Sequence, residues 1–136
     1  MTASENLDLV HSIFADWERG DFGSADWADP DIEFVIADGL TPGEWRGVVE
    51  MAQGWREFLE AFEGHSGQAD GLRELDGERV LVRVTVSARG KRSGTEAHAS
   101  GANVFYVSAG KVTRLVIYWD RDRALADLGL TPDTGT

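Results

Sequence analysis

The alternation of apolar and polar positions is clearest between Gly101 and Asp120. There GANVFYVSAGKVTRLVIYWD predicts two long strands joined by a tight turn at Ser108 to Lys111. Gly110 can supply the left-handed backbone that such a turn needs. The flanks are rich in β-branched and aromatic residues, as strands are. Period-two alternation puts Leu115, Ile117 and Trp119 on one face of the second strand, and Val116, Tyr118 and Asp120 on the other. Because this strand is apolar on both sides, each face is expected to be at least partly covered. On the first strand Asn103 shares a face with Phe105 and Val107. An amide on an apolar face either satisfies backbone groups or points into a cavity that holds something polar.

The rest of the chain reads against this hairpin. Leu7, Val10, Ile13, Phe14 and Trp17 recur at helical spacing, so residues 5–19 form a helix capped by Ser4 and stopped by Gly20. Asp21 caps a short second helix, Phe22 to Ala28, closed by Pro30. Residues 32–38 form a strand with Ile32, Phe34, Ile36 and Asp38 on one face, and 39–43 form a loop. A third long helix spans 46–63, with Trp45 as a staple before it. Its buried stripe is Val48, Met51, Trp55, Phe58, Leu59 and Phe62, and the run Gly64 to Gly67, which includes His65, ends it. A weak strand over 67–75 leads into a clear one over 78–90, where Val80, Val82, Val84 and Val86 face away from Arg83 and Thr85. Strand 95–107 follows the polar turn 90–94. After the hairpin, Asp120 caps a last helix, Arg121 to Leu128, stopped by Gly129, and 131–136 is a frayed tail. Helices segregated from hairpin-linked strands make an α+β domain. It is expected to be a conical barrel: a curved, mainly antiparallel sheet wrapped around a pocket closed by three N-terminal helices.

Composition narrows the function more than the fold. At 136 residues the chain is expected to be one domain, with a core over about 5–130. A net charge of −11 argues against nucleic acid and anionic membranes as partners. The absence of cysteine removes disulfides, thiol nucleophiles and thiolate metal sites and fits a cytoplasmic protein. The polar N-terminus is unlike a secretory signal, and no apolar run approaches the roughly 20 residues of a membrane span. His11, His65 and His98 have no metal-ligand spacing, so no metal is expected. Trp17, Trp55 and Trp119 fall on predicted buried faces, where core packing accounts for each singly. Three on elements around one cone suit a flat apolar ligand.

Several stretches together resemble the SnoaL-like branch of the nuclear transport factor 2-like superfamily. They are Trp17-Glu18-Arg19-Gly20-Asp21, Asp29-Pro30-Asp31-Ile32-Glu33-Phe34, Arg46-Gly47, and Gly110-Lys111-Val112 through Tyr118-Trp119-Asp120-Arg121-Asp122. The resemblance covers about Glu5 to Leu130. It implies a deep apolar pocket and a homodimer through the outer sheet face, here with Arg83, Thr85, Tyr106, Val116 and Tyr118. It also implies chemistry that ranges from isomerases and cyclases to non-catalytic binders, so fold does not fix function. Set beside the ketosteroid isomerase pattern, Asp38 falls at the general-base position and Asn103 at that of the acid that helps hold the oxyanion. Ile13 stands where that pattern has its oxyanion tyrosine, and Leu115, Ile117 and Trp119 match pocket-lining positions.

Two functional readings follow. In one, a cofactor-free isomerase- or cyclase-type enzyme uses Asp38 as base and Asn103 to stabilise an enolate. Ile13, Trp17, Phe34, Trp55, Phe105, Leu115, Ile117 and Trp119 would bind the substrate. In the other, the same cone holds a small apolar or aromatic molecule without turning it over, or the domain serves as a dimeric interaction module. The competing assignments are plain. Asp38 can be a strand-end residue that starts the Gly39 turn, and Asn103 can be an amide satisfied internally.

Overall fold

A computed structural model of the protein describes residues 3–18, 26–38, 42–60, 62–75, 78–90 and 96–129. Its elements run α1 (Ala3–Glu18), β1 (Ala28–Ile36), β2 (Gly43–Arg46), α2 (Val48–Glu60), β3 (Phe62–Glu74), β4 (Arg79–Gly90), β5 (Glu96–Ser108), β6 (Lys111–Tyr118) and α3 (Arg121–Asp127). The six strands form one curved sheet in the order β2-β1-β6-β5-β4-β3. β1 lies parallel to β6, and the other pairings are antiparallel. The sheet stays open, with β2 and β3 at its edges.

Alternation works as the sequence predicts on the long strands. Ile32, Phe34, Ile36, Val80, Val82, Val84, Phe105, Val107, Leu115 and Ile117 join Val10, Ile13 and Phe14 of α1 and Met51 of α2 in one concave-side core. One irregularity keeps β6 in step. Tyr106 pairs with Arg114 but Val107 pairs with Val112, so Thr113 is the extra residue of a bulge. The bulge lets Val112 and Leu115, of opposite parity, share the concave core. The β5–β6 turn has Ala109 at φ 51 and Gly110 at φ 78. Two consecutive left-handed residues suit a hairpin whose twist matches its strands. The alanine accepts this conformation at a cost of about 1 kcal/mol.

Several predicted boundaries move. Of the expected second helix, residues 22–25 lie outside the described residues. Asp26 and Trp27 form a turn, and Ala28 already opens β1. The predicted loop over 39–43 ends in β2, which is only four residues long and pairs with the end of β1. The third helix is shorter than predicted. Arg46 belongs to β2, Gly47 turns the chain at φ 85, and the Glu50 carboxylate accepts the Arg46 N–H at 3.1 Å. At the other end, residues 62–67 do not finish the helix but begin β3, His65 included. Pairing from Phe62 opposite Gly90 down to Glu74 opposite Val80 imposes a strand on a stretch that has no apolar alternation of its own.

Trp45 is not a staple. It packs on Phe34 at 5.6 Å between ring centroids, and Phe34 meets Trp55 edge-on at the same distance. Gly54 of α2 lies flat against this indole, where a Cβ would come within 2.5 Å of the Trp45 ring. α1 rests on β3 and β4, and α2 on β1, β2 and β3. The concave faces of β5 and β6 form the floor between them.

On the convex face, Val116 and Tyr118 pack with Ala124 and Leu125 of α3 and with Leu81, Ala102 and Val104. The Tyr118 hydroxyl donates to Asp127 at 3.1 Å. Burial, and then the hydrogen bond and charge of Asp127, push this hydroxyl from 10.0 up to about 12.

Helix propensity alone says that Gly54→Ala stabilises by about 1 kcal/mol. The contact with Trp45 reverses the sign, and urea unfolding is expected to show a loss of about 1–3 kcal/mol. Tyr118 supplies a pH test. Its proton is held more tightly in the folded state, so its contribution is fully present below pH 10 and is lost as pH rises toward 12. Thermal melts across that window should fall more steeply for the wild type than for Tyr118→Phe.

Candidate functional site

Among the described residues the concave wall is apolar apart from one buried strand residue. Asn103 sits in the middle of the sheet, between Val82 of β4 and Ile117 of β6. It is 6% exposed. Beta-sheet parity puts it in line with Phe105 and Val107, which are buried in the concave core.

Asn6 is the other buried polar side chain among the described residues, at 1% exposure. Sequence reasoning missed it. The signal was available: Asn6 lies four residues before Val10, on the stripe that continues through Ile13.

The predicted lining residues divide into two groups. Ile13, Phe34, Phe105, Leu115 and Ile117 are buried together in one cluster, and Trp55 and Trp119 are half-buried against it. Phe14 of α1 reaches Phe105 at 5.8 Å, edge to face. The Trp17 side chain lies outside the described residues. The cluster thus has a close-packed part under the helices, with Trp119 at the end of the sheet where β6 runs into α3.

Asp38 lies at that same end, half-buried and two residues beyond the last residue of β1. Its Oδ1 accepts the Trp119 N–H at 2.6 Å, and its Oδ2 accepts the Asp120 N–H at 3.3 Å. The parallel ladder makes its last backbone bond just before, from Ala37 N–H to the Ile117 carbonyl at 2.9 Å. The carboxylate takes the place of the next backbone acceptors. Ile36, Ile117 and Asn103 fall in one row across β1, β6 and β5. Asp38 and Asn103 are thus two strands apart, about 10 Å by strand spacing, and offset along the strands by two residues.

Arg121 works from the other side of β6. Its Nε donates to the Gly101 carbonyl at 3.1 Å and one Nη to the Val84 carbonyl at 3.0 Å. The same Nη lies 3.5 Å from Asp70 Oδ2 on β3. A Cβ on Gly101 would run into the Tyr118 carbonyl, so the close approach of β5 and β6 needs a glycine here. Asp120 behaves as predicted and caps α3, accepting from the N–H groups of Asp122 and Arg123.

Among the described residues no group of three or more His, Cys, Asp or Glu converges as a metal site. Nor, among the described residues, is any helix long and apolar enough to cross a membrane. A separate open groove of ≈ 380 Å³ lies on the convex side, where Val35, Ala37, Val116 and Tyr118 meet Arg114, Arg123 and Glu44.

Comparison with known proteins agrees with this architecture. The profile of the SnoaL-like domain matches residues 10–115. No curated protein matches the chain in sequence. An NTF2-like protein of unknown function from Burkholderia pseudomallei superposes with a TM-score of 0.76 at 20% identity, over 90% of this chain and 95% of that one. TerC, co-crystallised with polyporic acid, superposes at 0.74 and 22% identity, over 91% of this chain and 97% of its own. A protein from Catenulispora acidiphila with a ketosteroid isomerase-like fold, in complex with trimethylamine, gives 0.68 at 15% identity, over 92% and 95%. At these identities the likeness shows the fold alone. The profile match covers most of the sequence, and the open cone behind it is the one that the residue pattern builds. The chain belongs to the SnoaL-like domain family and has the NTF2-like fold.

Proposed function

We propose that the cone binds a small apolar or aromatic molecule carrying one polar group, and that Asn103 supplies the polar contact. The observation that carries this is the buried polar side chain of Asn103, set in a row with the apolar residues of the concave core. Trp119 offers a flat face at the same end of the sheet. The structural relatives co-crystallised with polyporic acid and with trimethylamine are compatible with a small ligand in this fold.

Binding without turnover is the favoured form of this reading. The proton transfer implied by the ketosteroid isomerase pattern needs Asp38 as base. Here both of its oxygens already accept backbone N–H groups. Ile13, at the position of the oxyanion tyrosine, is buried and has no hydroxyl to donate. A homodimer through the outer face would draw on Arg83, Thr85 and Tyr106, with Val116 and Tyr118 reached through the groove beside α3.

The test compares 2-naphthol with naphthalene, reading affinity from quenching of tryptophan fluorescence. Asn103→Leu is expected to weaken 2-naphthol binding by about tenfold or more, equivalent to about 1–3 kcal/mol, and to leave naphthalene nearly unchanged. The same variant should stabilise the unliganded protein, since it removes a buried polar group. Unchanged 2-naphthol affinity together with a loss of stability would make Asn103 a structural amide and refute the proposal.

A further inference from the structure

We propose that Asp38 and Arg121 are positioning residues that clamp the β6–α3 junction from its two sides and so fix Trp119 as a preformed wall of the cone. This rests on the ligand-binding reading of the cone but is carried by a different set of contacts. Trp119 is the residue at which β6 has ended and α3 has not begun. With no ladder to hold it, its backbone would be free to swing. Three charged side chains prevent this.

Asp38 receives the N–H groups of both Trp119 and Asp120, across 81 and 82 residues of sequence. Asp120 turns its own carboxylate onto the first N–H groups of α3. Arg121 spreads its guanidinium over two carbonyls, those of Gly101 on β5 and Val84 on β4, and ends beside Asp70 on β3. The junction is thereby tied to β1 on one side and to β5, β4 and β3 on the other. Hydrogen bonds to charged groups are about twice as strong as neutral ones, and a guanidinium presents its donors in a fixed planar fork that an ammonium lacks. The indole held between these ties packs on the concave core. Ordering it before a ligand arrives removes a cost that binding would otherwise carry.

The experiment records ¹⁵N–¹H spectra and hydrogen exchange, with no ligand needed. In the wild type, the Trp119 and Asp120 amides should exchange as slowly as amides inside β6, although both lie beyond its end. Exchange at the rate of an exposed turn would overturn the clamp, whatever the variants do. Asp38→Asn should speed exchange at Trp119 by tenfold or more and move its indole resonance. Arg121→Ala should move the same indole resonance, and Arg121→Lys should fail to restore it. A uniform drop in stability with the Trp119 indole unmoved would reduce both residues to ordinary structural roles and contradict the proposal. A last arm measures 2-naphthol in the folded variants, where a tenfold weakening is expected. If the wild type itself binds no such probe, the cone reading fails, while the exchange data still decide the clamp.

Discussion

The structure depends on how the chain leaves β6. At Trp119 and Asp120 a central strand stops and α3 turns back over the convex face. Backbone groups beyond the last ladder bond must find other partners there. Asp38 supplies the acceptor for two N–H groups, and Arg121 supplies donors for two carbonyls. Once this corner is fixed, α3 can lay Ala124 and Leu125 over Val104 and Val116, so the strand is buried on both faces.

That arrangement leaves the concave side free for a separate task. Helices α1 and α2 rest on the flanking strands, and the aromatic group of Phe34, Trp45 and Trp55 fixes α2 to β1 and β2. The wall between the helices is built from aliphatic residues and Phe105, with Asn103 among them. Asp38, just beyond the end of β1, holds backbone N–H groups with both of its carboxylate oxygens.

Much of this was legible in the sequence, wherever a side-chain period reports burial directly. The faces of β4, β5 and β6, the stripe of α1 and the Asp120 cap followed from spacing alone. The first half of β3 was not legible. Gly64 to Gly67 carry no apolar rhythm, and only the partner strand β4 makes them extended. β2 was too short to register, and the Thr113 bulge leaves no mark in composition. For the site, the parity of Asp38 and Asn103 was readable but the partners of Asp38 were not, because they lie more than 80 residues away. Arg121 did leave a trace. A cation in the first turn of a helix opposes the helix dipole, and such a placement implies a role outside the helix. Here that role is to bind the carbonyls of Val84 within β4 and Gly101 within β5.

The central claim is that the concave wall around Asn103, and not the convex groove beside Tyr118, receives the ligand. The most direct test follows the side-chain NH₂ resonances of Asn103 in a ¹⁵N–¹H titration of the wild-type protein with 2-naphthol. The account predicts that these resonances and the indole of Trp119 shift together and saturate at one concentration, while Arg123 and Glu44 on the convex groove stay unmoved. Saturable shifts confined to Arg123, Glu44 and their neighbours, with the Asn103 amide unchanged, would contradict it.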